Sequence, residues 1–106
     1  MTDLPIEKNS KKPVGMAIKY PGSVWLNAAS LSRRAGHMEI ATKCAYEAEE
    51  YASEWGYIAQ YDLAMTFRNL DIHHRAIYWL IIAARNGDPD AAKDINNLYG
   101  IDLKIQ

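Results

Sequence analysis

The sequence is poor in the residues that build covalent or metal-stapled folds. One cysteine, Cys44, stands in 106 residues. An intramolecular disulfide is therefore excluded, and a cysteine-based zinc site has no partner thiols within the chain. Neither sign of charge is in excess: 12 Lys and Arg face 13 Asp and Glu, for a formal net charge of −1. A generic nucleic-acid binder carries a basic surplus, so the composition argues against one. No apolar run approaches the ~20 residues that span a bilayer, the longest being 76–84. The first residues, with Asp3, Pro5, Glu7 and Lys8, lack the continuous apolar stretch of a signal peptide. A Gly-rich phosphate loop, a nucleophile elbow and a paired-carboxylate constellation are also missing. These absences lead to the expectation of a cytoplasmic, non-enzymatic chain with no cofactor, no metal, no nucleic acid and no membrane contact.

What is present is apolar material for one core. Hydrophobic residues make up 49% of the chain and charged residues 24%, which suits a single globular domain. Residues 1–20 read as an extended or flexible N-terminal arm. Pro5, Pro13 and Gly15 interrupt helix there, and Val14, Met16, Ile18 and Tyr20 alternate with smaller or charged residues. Residues 21–100 read as a helical domain and 101–106 as a tail. Within the domain the spacing predicts five helices. Helix one covers 24–35, with Ser23 as N-cap and Trp25, Ala28, Leu31 and Ala35 inward. Helix two covers 37–55, with Ile40, Ala41, Cys44, Ala45, Ala48, Tyr51 and Ala52 inward. Helices three and four cover 57–69 and 72–86, with Asp71 as the cap between them. Helix five begins at Pro89, turns Ala92, Ile95 and Leu98 inward and stops at Gly100. Strand patterns with hairpin turns are absent, so the expected fold is all-α.

Self-similarity is visible along the chain. A shift of 31 positions lays Ala76 on Ala45, Ala83 on Ala52, Gly87 on Gly56 and Ala59 on Ala28. The strongest unit lies within 59–91: Leu63-Ala64-x-x-Phe67, then Arg75-Ala76-x-x-Trp79-x-x-x-Ala83-Ala84-x-x-Gly87-x-x-x-Ala91. This pattern resembles the Sel-like repeats, relatives of the tetratricopeptide repeats. The resemblance implies a short α-solenoid of antiparallel helical hairpins, of about two and a half units. It weakens over 28–56, where Ala48 falls at the tryptophan position, and Leu70-Asp71-Ile72 is shorter than the family's glycine-rich loop.

The same resemblance implies a groove lined by the first helix of each unit. Leu26, Arg33, Tyr61, Met65, Arg68 and Asn69 are its candidate partner-binding residues, with Ala29 and Arg34 beside them. A second candidate surface needs no family: Glu47, Glu50 and Glu54 recur at helical spacing, with Glu49 adjacent, and could recruit a basic partner. His73 and His74 point about 100° apart on a helix, so they read as solvated residues rather than a metal pair. Cys44 reads as core packing, and with His37 it lacks the orienting group that catalysis needs. The expected function is a protein-protein interaction module that sequesters or inhibits a partner protein, as an immunity protein does. The alternatives are a small secretion-type chaperone or adaptor holding a peptide in its groove, and a homodimeric or larger scaffold.

Overall fold

The computed structural model describes residues 20–104. The predicted arm lies outside them except for Tyr20, as do the last two residues of the tail. Among the described residues there are five α-helices and no strand: α1 (Ser23–Arg34), α2 (Met38–Glu49), α3 (Tyr57–Asn69), α4 (His73–Arg85) and α5 (Ala91–Tyr99). A 3-10 turn, Ala52–Glu54, joins α2 to α3. Helix α1 pairs with α2 and α3 with α4, and α5 packs on α4. The fold is a short all-α array of helical hairpins.

Both hairpins turn by the same local chemistry. Gly36 adopts φ 87° and Asp71 φ 63°, the left-handed conformation that ends a helix. In the first turn His37 N–H donates to Ser32 C=O at 2.8 Å and Gly36 N–H to Arg33 C=O at 3.0 Å. In the second, Ile72 N–H donates to Phe67 C=O at 2.9 Å and Asp71 N–H to Arg68 C=O at 2.9 Å. This is the Schellman arrangement, which satisfies carbonyls left over at a helix end. The residues that follow also match, His37 at φ −93°, ψ 74° and Ile72 at φ −100°, ψ 75°. Gly87, at φ 109°, ends α4 in the same way.

These landmarks correct the repeat register. Gly36 and Asp71 are 35 positions apart, as are Ala41 and Ala76, both fully buried at the start of α2 and α4. The shift of 31 matches alanine to alanine without matching turn to turn. Two caps also differ from expectation. Ser23 is a buried residue inside α1, whose cap is Gly22, and Asp71 is the left-handed turn residue rather than the cap. The carboxylate that does cap a helix is Asp88. Its Oδ1 accepts from Asp90 N–H at 2.8 Å and Ala91 N–H at 3.1 Å, opening α5.

The core fills in unequal steps. In α1 and α2 it contains Leu26, Ala29, Ala41, Cys44, Ala45 and Ala48. In α3 and α4 it contains Leu63, Phe67, Leu70, Trp79 and Leu80 among smaller alanines, and Ile95 closes it from α5. Burying a Leu, Ile or Phe side chain is worth ~1.5–3 kcal/mol and an alanine methyl much less. Ile101 and Leu103 pack against this core from the tail.

The repeat-pattern residues Leu63, Ala64, Phe67, Ala76, Trp79, Ala83 and Ala84 are buried, as are Ala41, Cys44, Ala45, Ala48 and Ala52 of the expected second face, whereas the face of α1 and single positions elsewhere differ from expectation. In α1 the buried residues are Ser23, Leu26 and Ala29, while Val24, Trp25, Leu31 and Ala35 are exposed. Helix α2 ends at Glu49, short of Trp55, and Ile40 and Tyr51 are exposed. Leu98 is exposed and Ala91 takes the buried place beside Ile95. The early end of α2 has a tertiary cause. Trp55 Nε1 donates to Pro21 C=O at 2.8 Å, and the Tyr20 ring meets the Trp55 ring edge-on at 5.0 Å. Gln60, fully buried, donates from Nε2 to Ala52 C=O at 3.0 Å and accepts at Oε1 from Asn86 at 2.7 Å. Both bonds draw the chain after Glu49 back toward the start of α1 and the end of α4. A continued α2 would leave these buried groups without partners.

Candidate protein-binding surfaces

The four acids between the last turn of α2 and the 3-10 turn, Glu47, Glu49, Glu50 and Glu54, divide into two roles. Glu47, Glu50 and Glu54 are exposed, and none of them pairs with a cation among the described residues. Glu49 faces the second hairpin. Its Oε2 receives Arg75 Nε at 2.6 Å, Arg75 Nη2 at 2.5 Å and Trp79 Nε1 at 2.6 Å. The Arg75 guanidinium also lies over the Tyr78 ring, 4.3 Å from its centroid. Glu49 is therefore a tie between hairpins and leaves the acidic surface to the other three. Sequence reasoning missed this role. The available signal was the spacing of Arg75 and Trp79, four apart on one face of α4, which can converge on a single carboxylate.

The groove candidates scatter. Leu26 is buried at 8% exposure in the seam with α2, so it is not available to a partner. The reason is the rotated face of α1, which turns Leu26 and Ala29 inward in place of Trp25 and Leu31. Arg33 is half-buried in the last turn of α1. Tyr61 on α3 donates its hydroxyl to Asp94 on α5. That bond, then burial, then the charges of Asp94, Asp90 and Asp88 push its phenol up to about 12. Met65 is partly buried against the core. Arg68 lies beside Tyr99, where its charge opposes the upward push of burial on that phenol. Asn69 is exposed at the end of α3. Helix α5 thus engages two of the polar side chains that the resemblance places in a groove.

The histidines and the cysteine are also placed. Cys44 is buried on α2, while His37 is exposed at the turn. His73 Nδ1 lies 2.6 Å from the Tyr99 hydroxyl, and its Nε2 lies 3.6 Å from Asp71. His74 is exposed. Among the described residues no three His, Cys, Asp or Glu side chains are placed to hold a metal ion. Asp62 on α3 has its carboxyl raised above the ordinary range, first by burial and then by the charge of Asp88. No described helix is long and apolar enough to cross a membrane.

The described residues form a helical-hairpin fold in which Glu47, Glu50 and Glu54 are exposed and Tyr61 is bonded to the last helix. Comparison with protein-family models, with curated proteins and with solved structures gives no match for this chain.

Proposed function

We propose that this chain is a non-enzymatic interaction module that binds a partner protein through its acidic surface and sequesters or inhibits it. The observation that carries the reading is the division among the four acids. Glu49 is neutralised inside the fold, whereas Glu47, Glu50 and Glu54 stay in solvent with no cation among the described residues. Three carboxylates held on one short stretch of helix and turn repel one another. A partner presenting Lys or Arg to that stretch relieves the repulsion and gains fast, salt-sensitive association. The proposed setting is the cytoplasm, and no cofactor, nucleic acid or membrane enters the mechanism. Descent from Sel-like or tetratricopeptide-like repeats is part of this proposal and rests on the residues of 59–91.

The chaperone or adaptor reading ranks second. Tyr61 and Arg68 are occupied by contacts with α5, so a peptide would have to displace that helix or share it. The test is a pull-down of the full chain from its native extract, with the complex sized and its partner identified. The variant Glu47→Gln/Glu50→Gln/Glu54→Gln is then compared with Tyr61→Phe. Loss of the partner at least tenfold in the first, with retention in the second, supports acidic-surface binding. The reverse pattern moves the function to the groove, and a partner indifferent to both removes both readings.

A further inference from the structure

The sequence contains one Asn-Gly pair, Asn86-Gly87, and the fold places it at the end of α4. Asparagine is at its most labile before glycine. With no side chain on glycine to shield it, the glycine nitrogen can attack the neighbouring side-chain amide carbon. Asn86 and Gly87 are both exposed, so water and hydroxide reach the pair. The folded conformation nevertheless holds the reaction off. At ψ 2° the Gly87 nitrogen eclipses the backbone nitrogen of Asn86 instead of its Cβ, so a five-membered ring cannot close. The Gly87 N–H is engaged by Ala84 C=O at 3.0 Å. The side-chain amide is held as well, because Asn86 Nδ2 donates to Gln60 Oε1 at 2.7 Å.

We infer that Asn86 is a site of spontaneous deamidation, gated by opening of the end of α4, whose product then loosens the joint with Gln60. When the last turn of α4 opens, the Gly87 nitrogen gives its proton to hydroxide and bonds to Asn86 Cγ. The Cγ–Nδ2 bond breaks, and the leaving nitrogen takes a proton and departs as ammonia. Water then opens the cyclic imide. Cleavage at Cγ yields aspartate, and cleavage at the main-chain carbonyl yields isoaspartate. Water is the only co-reactant, and nothing is oxidised or reduced.

The product matters because Gln60 is fully buried and its bonds have a fixed sense. It accepts from Asn86 and donates from Nε2 to Ala52 C=O at 3.0 Å. An ionised carboxylate at position 86 can only accept. It therefore meets Gln60 Oε1 acceptor to acceptor, and turning the Gln60 amide over moves the conflict to Ala52 C=O. Either way a buried group loses its bond, and the end of α4 is released from α3 and the 3-10 turn. Isoaspartate also lengthens the main chain by a methylene and displaces the left-handed cap at Gly87. The change runs one way, so loosened chains accumulate with the age of the molecule. It involves none of Glu47, Glu50 and Glu54 and is independent of the acidic-surface reading.

Peptide mapping by mass spectrometry tests the inference on the full chain, aged in mildly alkaline buffer with and without guanidinium chloride. Position 86 should convert in both samples, at least tenfold more slowly in the native one. Gln60→Leu should speed native conversion at least threefold and leave the rate in denaturant unchanged. A second arm needs no ageing and stands even where Gln60→Leu fails to fold. Asn86→Asp makes one product directly and should lower the denaturation midpoint at least twice as far as Asn69→Asp. The latter adds the same charge at the exposed end of α3. Equal rates in native and unfolded chains overturn the inference, as does a native chain in which position 86 stays intact. So do equal midpoints for the two aspartate variants.

Discussion

At positions 35 residues apart the first hairpin carries Ala41, Cys44, Ala45 and Ala48, and the second carries Ala76, Trp79, Leu80 and Ala83. All eight are buried and all lie on the second helix of a pair. The backbone plan is shared, down to the left-handed residue of the turn. The side-chain volume is not. Turn chemistry and small residues at Ala41, Ala76, Ala48 and Ala83 therefore suffice to set how two helices meet. Large residues at the intervening positions set how firmly they stay together. The second hairpin supplies most of the deep core, and the first is held to it by polar ties at Glu49, Trp55 and Gln60 and by the Tyr46 ring, edge-on to Phe67 at 5.2 Å.

The largest expected effect lies in the second hairpin. Trp79→Ala should lower unfolding free energy by ~3–5 kcal/mol, since it opens a cavity and strips a donor from Glu49. Cys44→Ala, at the matched place in the first hairpin, should cost under ~1.5 kcal/mol, the range of single-group deletions. Urea denaturation of both variants decides the matter, and equal losses would break the comparison. Next in size is the tie between hairpins. Gln60→Leu leaves the Ala52 carbonyl without its partner and should cost ~1–3 kcal/mol. It should also let amides of α1 and α2 exchange ahead of those in α3 and α4, which native-state hydrogen exchange reads directly. Uniform exchange after that substitution would mean the hairpins are coupled by packing alone.

The smallest effect tests the last helix. Tyr61→Phe should cost on the order of 1 kcal/mol, toward the low end because solvent reaches the pair with Asp94. The tyrosine ionises near 10 when unfolded and near about 12 when folded. Its contribution is therefore fully present below pH 10 and is lost as pH climbs through the folded value. The stability difference between parent and Tyr61→Phe should shrink over that interval. A constant difference from pH 8 to pH 12 would show that the hydroxyl contributes nothing to holding α5.

The second hairpin was the more legible of the two for the same reason that it is firmer. Leu63, Phe67, Trp79 and Leu80 repeat at helical spacing between Gly56 and Gly87, so one face dominates and both ends are marked. Helix α1 offers two apolar faces of similar strength, and its larger side chains, Trp25 and Leu31, sit on the outer one. Periodicity locates such a helix without orienting it. The end of α2 was hidden because no glycine or proline marks it; the bonds of Trp55 and Gln60, distant in sequence, decide where it stops. The repeat register slipped because alanines are numerous enough to match at a wrong shift, and the turn residue that anchors the right one is glycine in one hairpin and aspartate in the other. Among the surface residues, Glu47, Glu50 and Glu54 are exposed, but only Glu47 lies within α2; Glu50 is at the helix end and Glu54 in the 3-10 turn, so helical spacing does not account for all three. Nor does it account for the capture of Tyr61 by Asp94, which depends on where α5 lies.

Cys44, the sole thiol of the chain, lies buried on α2 of the less firmly packed hairpin. A thiol reagent added to the native protein reaches that sulfur when the packing around α2 opens, so the labelling rate becomes a measure of how often it does. Because no second thiol contributes a signal, a colorimetric disulfide reagent would report opening around this one side chain.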